Sequence, residues 1–448
     1  MAEIRPFKGL RYSLDTVKRM EAVVTPPYDV ISPDAQLMYH SRSKYNVIRL
    51  DLGLDLPGDS SERNRYTRAR DLFLKWLKDG VLVPERKASM YVYEHEFEFR
   101  GVRRTRRGIV AALRLEDPEA GVVLPHEDTL AKPLTDRLNL MRACNSNFSP
   151  IFGLFEDESA SVSGTLQSVT STAPVISVKW DDGSLHSLWV VDDPWMLKKL
   201  AKPLTSARVY IADGHHRYET ALRYRDEMRS ANPNFSGDEA YNFVMALLVE
   251  MSDPGLVILP THRIVIQGSS NNSGSVEERL SEVFDLRHFP TNGDPASKVR
   301  ALLDAMDEAK SANVLGAFGL RKGYFSLLLS KNDGTMHRAM PEINSSAWRS
   351  LDVSVLKVAV LDRVLGVKEG DPAQAGAVEY VSDEVAAVRA VIEGKASMAW
   401  FVRPPTVRQV RDVALASDRM PHKSTYFHPK PLTGLVLNYL VGDLPRPL

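Results

Sequence analysis

The sequence predicts a mixed α+β chain of more than one domain, on three observations. At 448 residues the chain exceeds one ordinary hydrophobic core, so two or three domains are expected. Apolar residues at 44% and charged residues at 25% match an ordinary soluble globular composition. Segments with helical spacing and segments with strand alternation then mix along the chain, with no internal repeat and no heptad run.

The elements follow in chain order. Pro26 and Pro27 in Thr25-Pro26-Pro27-Tyr28-Asp29-Val30 favour extended backbone and oppose a helix. A helix fits Tyr66 to Lys78, with Tyr66, Ala69, Phe73, Trp76 and Leu77 on one face and Gly80 as its stop. Tyr91, Tyr93, His95, Phe97 and Phe99 alternate with Glu94, Glu96 and Glu98 as a strand, Gly101 turns the chain, and Gly108 to Leu113 returns. Arg100, Arg103, Arg104, Arg106 and Arg107 form the densest basic cluster. They either face those glutamates across the hairpin or form a nucleic-acid arm.

Ser159 to Thr172 is mostly Ser, Thr, Ala and Gly and reads as an exposed loop or insertion. Phe243 to Val249 is an apolar strand. Gln267 to Glu277 is a Gly/Ser/Asn-rich linker. Beyond it, Lys298 to Lys310 and Val353 to Val364 read as helices, and Tyr324 to Leu329 and Ser397 to Val402 as strands. The domains expected are therefore an N-terminal α+β region over 1–113, a central region over 114–266 and a C-terminal α+β domain over 278–448.

Charge narrows the function classes. Lys plus Arg equals Asp plus Glu, 57 each, so no net field draws the protein to nucleic acid or anionic lipid. Nucleic-acid binding is disfavoured further because no helix-turn-helix pattern stands out. No stretch approaches the ~20 apolar residues of a membrane span, and the start Met-Ala-Glu-Ile-Arg-Pro-Phe has no apolar signal core. No membrane role and a cytoplasmic location are expected. Cys144, the single cysteine, excludes an intramolecular disulfide and, without a CxxC context, reads as a structural thiol.

The densest chemistry lies in Ala212 to Ala221, Ala-Asp-Gly-His-His-Arg-Tyr-Glu-Thr-Ala. Val209-Tyr210-Ile211 before it reads as a buried strand, and Tyr218, Ala221, Leu222 and Met228 after it have helical spacing. A strand ending at Gly214 and a helix opening with His215, His216 and Arg217 make an anion site attractive. The first-turn N–H groups are free, the dipole is positive there, and Arg217 offers a bidentate grip. Asp213 either caps the helix or holds a metal. Adjacent histidines diverge by about 100° on a helix, so they suit one ion poorly, and a zinc site needs His126, Glu127 or His262 brought in.

Other groups stand apart. Glu127, beside His126 in Pro125-His126-Glu127-Asp128-Thr129, has the chemistry of a general base or of an ordinary capping acid. Asp136 and Arg137 form an ion pair or an anion contact. Met420 to Lys430 holds Lys-Ser-Thr without the glycines of a P-loop. Lys423, His428 and Lys430 there reach an anion, or the loop simply packs Tyr426 and Phe427.

Pro26 to Val30, His126-Glu127 with Thr129, Asp136-Arg137, Asp213 to Tyr218, Pro260 to Arg263 and Met420 to Lys430 occur in one order. Together they resemble a widespread prokaryotic family, domain of unknown function number one thousand and fifteen, nearly end to end. A second resemblance covers about a third of the chain. Asp213-Gly214-His215-His216-Arg217 followed by Ala221 is similar to the nucleotide-phosphate motif of the ParB/sulfiredoxin-like superfamily and its free serine kinases. Sulfiredoxin's cysteine has no counterpart here, which disfavours sulfinic-acid repair.

The second resemblance implies a ParB-like nucleotide-binding central region and a nucleotide-dependent phosphotransferase. It would use ATP or ADP with Mg²⁺ on a small hydroxyl substrate, serine or O-phosphoserine, in either direction. It implies catalytic roles for Glu127, Asp213 and His215, with Glu127 taking the hydroxyl proton. Gly214, His216 and Arg217 would hold the nucleotide phosphates, and Asp213 the metal. His126, Arg137, Arg263 and Lys423 are the candidate substrate contacts. Two alternatives stay open: a nucleotide-binding regulatory module without turnover, and a metal-dependent hydrolase using His215 or His216.

Overall fold

In the computed structural model the described residues are 1–129, 131–266, 275–369, 374 and 376–446. They form a mixed α+β protein with several sheets. The chain packs as two compact units. The first comprises Met1–Pro125, Thr129–Val257 and Pro429–Leu448; the second comprises His126–Asp128 and Ile258–His428.

The first unit is built on a nine-stranded sheet. Its strands are β1 (Ile4–Arg5), β2 (Met90–Phe99), β3 (Val102–Arg114), β4 (Val123–Leu124), β5 (Ile151–Phe155), β6 (Ile176–Lys179), β7 (Leu185–Val191), β8 (Val209–Asp213) and β9 (Phe243–Glu250). The order is β4-β8-β5-β9-β3-β2-β7-β6, with β1 on β3. β8 runs parallel to β4 and antiparallel to β5, while β9 runs parallel to β5 and antiparallel to β3. β9 is buried from Phe243 through Val249, as a strand covered on both faces should be.

The β2–β3 hairpin turns at Arg100 and Gly101, both at positive φ, and sets glutamates opposite arginines. Arg107 pairs with Glu94 at 2.6 Å and Arg103 with Glu96 at 3.3 Å, so the cross-strand reading holds for these two arginines, while Arg104 donates to the Pro254 carbonyl at 2.8 Å. Arg106 departs from it: it points inward, is 1% exposed and donates to the Pro429 carbonyl at 2.6 Å.

Helix α1 (Arg65–Lys78) buries Ala69, Phe73 and Trp76 and opens with a capping box between Asn64 and Thr67. It packs on α2 (Ala131–Cys144), which packs on α3 (His215–Ala231). Burial pushes the Cys144 thiol up to about 12, which keeps it protonated and inert.

Three local expectations are corrected. Residues 161–170 form a helix, Ser161–Thr170, rather than a loop, because Val162, Leu166 and Val169 recur on one buried face. Extended backbone ends at Pro27, and Tyr28–Val30 makes one 3₁₀ turn. Val353 to Val364 is not a plain α-helix: Asp352–Val355 is α and Leu356–Leu365 continues as π-helix. Of the expected linker, residues 267–274 lie outside the described residues; Ser275 then caps a helix at Val276–Ser281.

The second unit holds a six-stranded sheet, antiparallel throughout. Its strands are β10 (His262–Val265), β11 (Phe284–Pro290), β12 (Val314–Phe318), β13 (Tyr324–Ser330), β14 (Val378–Val381) and β15 (Met398–Val402), in the order β11-β13-β12-β15-β10-β14. Helices α4 (Pro295–Glu308) and α5 (Glu384–Ile392) pack Val299, Leu302, Met306, Ala387 and Val388 with Val314, Phe325 and Phe401 of the sheet. Among the described residues no helix is long and apolar enough to cross a membrane.

Candidate phosphate site of the first unit

β8 ends with a register shift between Ile211 and Asp213, the kind of bulge that re-aims a side chain. Gly214 follows at φ 88°, ψ 29°, in the cap position, and α3 opens at His215. A Cβ on Gly214 would sit 3.0 Å from the Arg217 guanidinium, so both the left-handed backbone and the space favour glycine.

The Asp213 carboxylate is engaged at both oxygens. Oδ1 accepts from Lys430 Nζ at 2.6 Å, and Oδ2 from Arg217 at 2.7 Å. Lys430 Nζ also donates to Asp29 at 2.5 Å, so one ammonium bridges two carboxylates. Burial acts to lower the Lys430 pKa, but Asp213 and Asp29 outweigh it and hold the ammonium above its ordinary range. Desolvation acts to raise Asp29, yet Lys430 and Arg217 outweigh that and hold its carboxyl below its usual value.

Arg217 spans from Asp213 to the Pro150 carbonyl. His215 is buried and His216 half-buried. Burial, helped by Arg217, lowers the His216 pKa against the pull of Asp29, Glu219 and Asp213, so its imidazole is neutral at pH 7. The helix docks by polar contacts more than by the apolar face expected from Leu222 and Met228, which are only half-buried. Tyr218 Oη donates to the Glu116 carbonyl at 2.7 Å, Tyr224 Oη to Asn145 at 2.8 Å, and Arg225 to Asp117 at 2.7 Å.

Arg137, on α2, is also in the first unit. It pairs with Asp51 at 3.0 Å and Asp136 at 2.6 Å and lies 4.0 Å from the Tyr28 ring centroid. Asp136 is further held by Arg65 and by Tyr66 Oη.

The remaining expected residues belong to the second unit. His126 is fully buried, and its Nε2 lies 2.9 Å from Thr425 Oγ1. Glu127 Oε1 accepts from Ser424 N at 3.2 Å and Thr425 Oγ1 at 3.3 Å. Arg263 is 1% exposed; it pairs with Glu369 at 3.2 Å, donates to the His422 carbonyl at 3.0 Å and lies 5.1 Å from the Tyr380 ring centroid. Lys423 is exposed, at φ 52°, with Nζ 5.2 Å from the same centroid.

The first unit thus gathers Asp213, Gly214, His215, His216 and Arg217 at one helix opening, with Arg137 on α2. The second gathers His126 and Glu127 with the 420–428 loop. Lys430 and Asp29 complete the cluster around Asp213; the sequence offered Lys430 as an anion contact of the 420–430 loop, whereas Asp29 did not stand out as a site residue. Their signal was present, since both lie in proline-flanked motifs, Pro27-Tyr28-Asp29 and Pro429-Lys430-Pro431. Among the described residues no group of three or more His, Cys, Asp or Glu is placed to hold a metal ion.

Comparison with known proteins gives distant structural likenesses. A free serine kinase variant in complex with AMP is 12% identical, with a TM-score of 0.36, over 75% of this chain and 90% of that one. A conserved hypothetical protein from Pyrococcus furiosus is 13% identical, with a TM-score of 0.33, over 75% and 94%. SbnI with a C-terminal truncation, from Staphylococcus aureus, is 9% identical, with a TM-score of 0.32, over 72% and 85%. No curated protein matches the chain. A family model matches residues 4–354, including the Pro-Pro-Tyr-Asp, His126-Glu127 and Asp213–Arg217 segments, and the chain belongs to that family, described as Protein of unknown function (DUF1015).

Proposed function

We propose that the first unit binds nucleotide phosphates at the opening of α3, and that the protein transfers a phosphoryl group between ATP or ADP and a small hydroxyl compound. Serine and O-phosphoserine are the first pair to test. One observation carries the reading: α3 opens on Gly214, which brings no side chain to the cap position, and Lys430 and Arg217 converge beside it on Asp213. First-turn N–H groups and the helix dipole favour an anion, and two cations are already in place beside them.

The local charges balance: Lys430 and Arg217 against Asp29 and Asp213. A phosphate adds negative charge, so it requires a further cation or release of Lys430 from one carboxylate. Mg²⁺ commonly binds through one or two carboxylates plus substrate phosphates, and Asp29 and Asp213 are the pair that would hold it. The ion would neutralise phosphate charge; positioning is then the main contribution of the chain's own groups. Lys430, freed from Asp29, would pair with phosphate oxygen, and Gly214 would let the ligand approach the backbone. His216, neutral at pH 7, would donate or accept one hydrogen bond without adding charge.

A second reading, nucleotide binding without turnover, is favoured by the engagement of both Asp213 oxygens, which makes the cluster a switch as readily as a catalytic site. The full chain is incubated with Mg²⁺ and ATP or ADP plus serine, or with ADP or AMP plus O-phosphoserine, and nucleotide binding is measured by calorimetry. Transfer in either direction supports the first reading; saturable ADP binding without transfer supports the second. Absence of nucleotide binding defeats both.

A further inference from the structure

In the second unit three short helical elements close on a cavity of about 320 Å³ whose polar lining is Arg279, Glu282, Thr335, Arg338 and Arg363. Arg279 stands on the helix Val276–Ser281, Thr335 and Arg338 on the helix Thr335–Ala339, and Arg363 on the π-helix Leu356–Leu365. Ala359 and Val364 of that π-helix line the same space. In an α-helix those two positions would sit about 140° apart around the axis. A turn closed by i→i+5 hydrogen bonds brings them onto one side. The π winding therefore presents Ala359, Arg363 and Val364 together, and such turns are frequent at functional sites.

Among the described residues the three guanidiniums bond to neutral groups alone. Arg279 donates to the Val364 carbonyl at 2.6 Å and to the Arg363 carbonyl, which ties down the end of the π-helix. Arg338 donates to Thr335 Oγ1 at 3.2 Å and the Asp333 carbonyl at 3.5 Å, and Arg363 to the Ala339 carbonyl at 3.4 Å. A guanidinium has five N–H donors, so these bonds, long for Arg338 and Arg363, leave donors for a ligand. Three arginines against Glu282 give the lining a formal charge of plus two. Asp333, outside the lining, is held below its usual range chiefly by Thr335, with Arg338 the smallest cause; it is exposed and screened by water. The cluster around Asp213 is charge-balanced, whereas this cavity concentrates a positive field.

A dianion complements such a lining, and the planar fork of arginine matches phosphate oxygens two at a time. A phosphate monoester carries about −1.5 to −2 at pH 7, while a diester carries a single charge. The volume falls at the lower end of the ~300–1,000 Å³ of small-molecule sites, room for a phosphate and a small body beside it. Val283 and Ala359 give that body an apolar wall. We propose that the cavity binds a small phosphate monoester whose remaining atoms are uncharged. Arg338 and Arg363 grip the phosphate, and Arg279 adds to the field while holding the end of the π-helix. The site is independent of the phosphotransfer reading, which concerns the first unit.

The full chain, freed of metal, is titrated by calorimetry with propyl phosphate, inorganic phosphate and dimethyl phosphate. Omitting Mg²⁺ disfavours the charge-balanced Asp213 cluster. Propyl phosphate should bind more tightly than inorganic phosphate and at least tenfold more tightly than dimethyl phosphate. Arg338→Gln and Arg363→Gln should each weaken it at least tenfold; both side chains are exposed, so the melting temperatures should stay near the parent's. Gly214→Ala, in the first unit, should bind as the parent does. No metal-free binding by the parent, or binding that neither arginine variant weakens, overturns the proposal. Loss in Gly214→Ala with both arginine variants at parental affinity moves the ligand to the opening of α3 and overturns it too. Inorganic or dimethyl phosphate binding as tightly as propyl phosphate overturns the monoester assignment.

Discussion

Arg137→Met is the sharpest perturbation of the first unit. Asp51 is 5% exposed, and Arg137 is its ion-pair partner at 3.0 Å. Asp136, in contrast, keeps Arg65 and Tyr66 when Arg137 is removed. Leaving one buried charge without its counter-ion costs about 3–5 kcal/mol. Loss of the Tyr28 contact adds about 1 kcal/mol, while the methionine stem retains part of the packing. We expect a net loss of about 4 kcal/mol, or roughly a 10 °C fall in Tm for a unit of this size. The loss should depend on pH. Burial already raises the Asp51 pKa while Arg137 opposes it, and without Arg137 the native carboxyl binds its proton more tightly still. A group raised in the folded state restores stability as pH falls through its folded pKa, so the gap to the parent should narrow from pH 7.5 to pH 5. Urea denaturation followed by circular dichroism measures both gaps. The double variant Arg137→Met/Asp51→Asn should be less destabilised than the sum of the singles by about 2 kcal/mol or more. Additive losses and an equal gap at both pH values would refute the pairing.

Three further changes probe the proposed function. Gly214→Ala places a Cβ at φ 88°, which costs roughly 1–2 kcal/mol and should weaken ADP binding at least tenfold in calorimetry; unchanged affinity removes Gly214 from the site. Lys430→Met removes the ammonium between Asp29 and Asp213. With Asp29 side-chain atoms 36% exposed and therefore screened, about 2–3 kcal/mol should be lost at pH 7, with ADP affinity falling even at saturating Mg²⁺. Glu127→Gln keeps an oxygen to accept from Ser424 and Thr425, so its melting temperature should stay near the parent's. If Glu127 takes the hydroxyl proton, turnover falls about 100-fold or more with ADP binding intact; full activity ends that role.

What was legible in the sequence was local. The periodicity of Tyr66 to Lys78, the alternation of Tyr91 to Phe99 and the strand–glycine–helix order around Gly214 are short-range patterns, and each forms where expected. Charge compensation leaves no comparable signal. Arg137 reads as an ion pair with Asp136 or an anion contact and Arg263 as a substrate contact, yet Asp51 and Glu369, 86 and 106 residues away, also pair with them. Arg106 reads as one more surface cation, but its alternation in β3 turns it inward. The helix at Ser161–Thr170 was hidden by composition: Ser, Thr and Gly outnumber the three apolar residues that set its face.

The same compensation alters the role assigned to the Asp213–Arg217 motif. By residue type it looks like a positively charged cradle awaiting phosphate. In the fold Arg217 is tied to Asp213 and Pro150, and Lys430 is shared between two carboxylates. A neutral, fully bonded cluster has little attraction for a phosphate approaching alone, because every hydrogen bond to the anion displaces one already made. It has more for a phosphate arriving with a divalent cation, since the metal can replace the ammonium between Asp29 and Asp213 and release Lys430 to the anion. ADP affinity in the parent should therefore rise steeply with Mg²⁺. In Asp29→Asn, which leaves Lys430 a single carboxylate partner and the metal one fewer ligand, that dependence should flatten. Equal Mg²⁺ dependence in parent and variant, measured by calorimetry across a magnesium series, would show that Asp29 takes no part in exchanging one cation for the other.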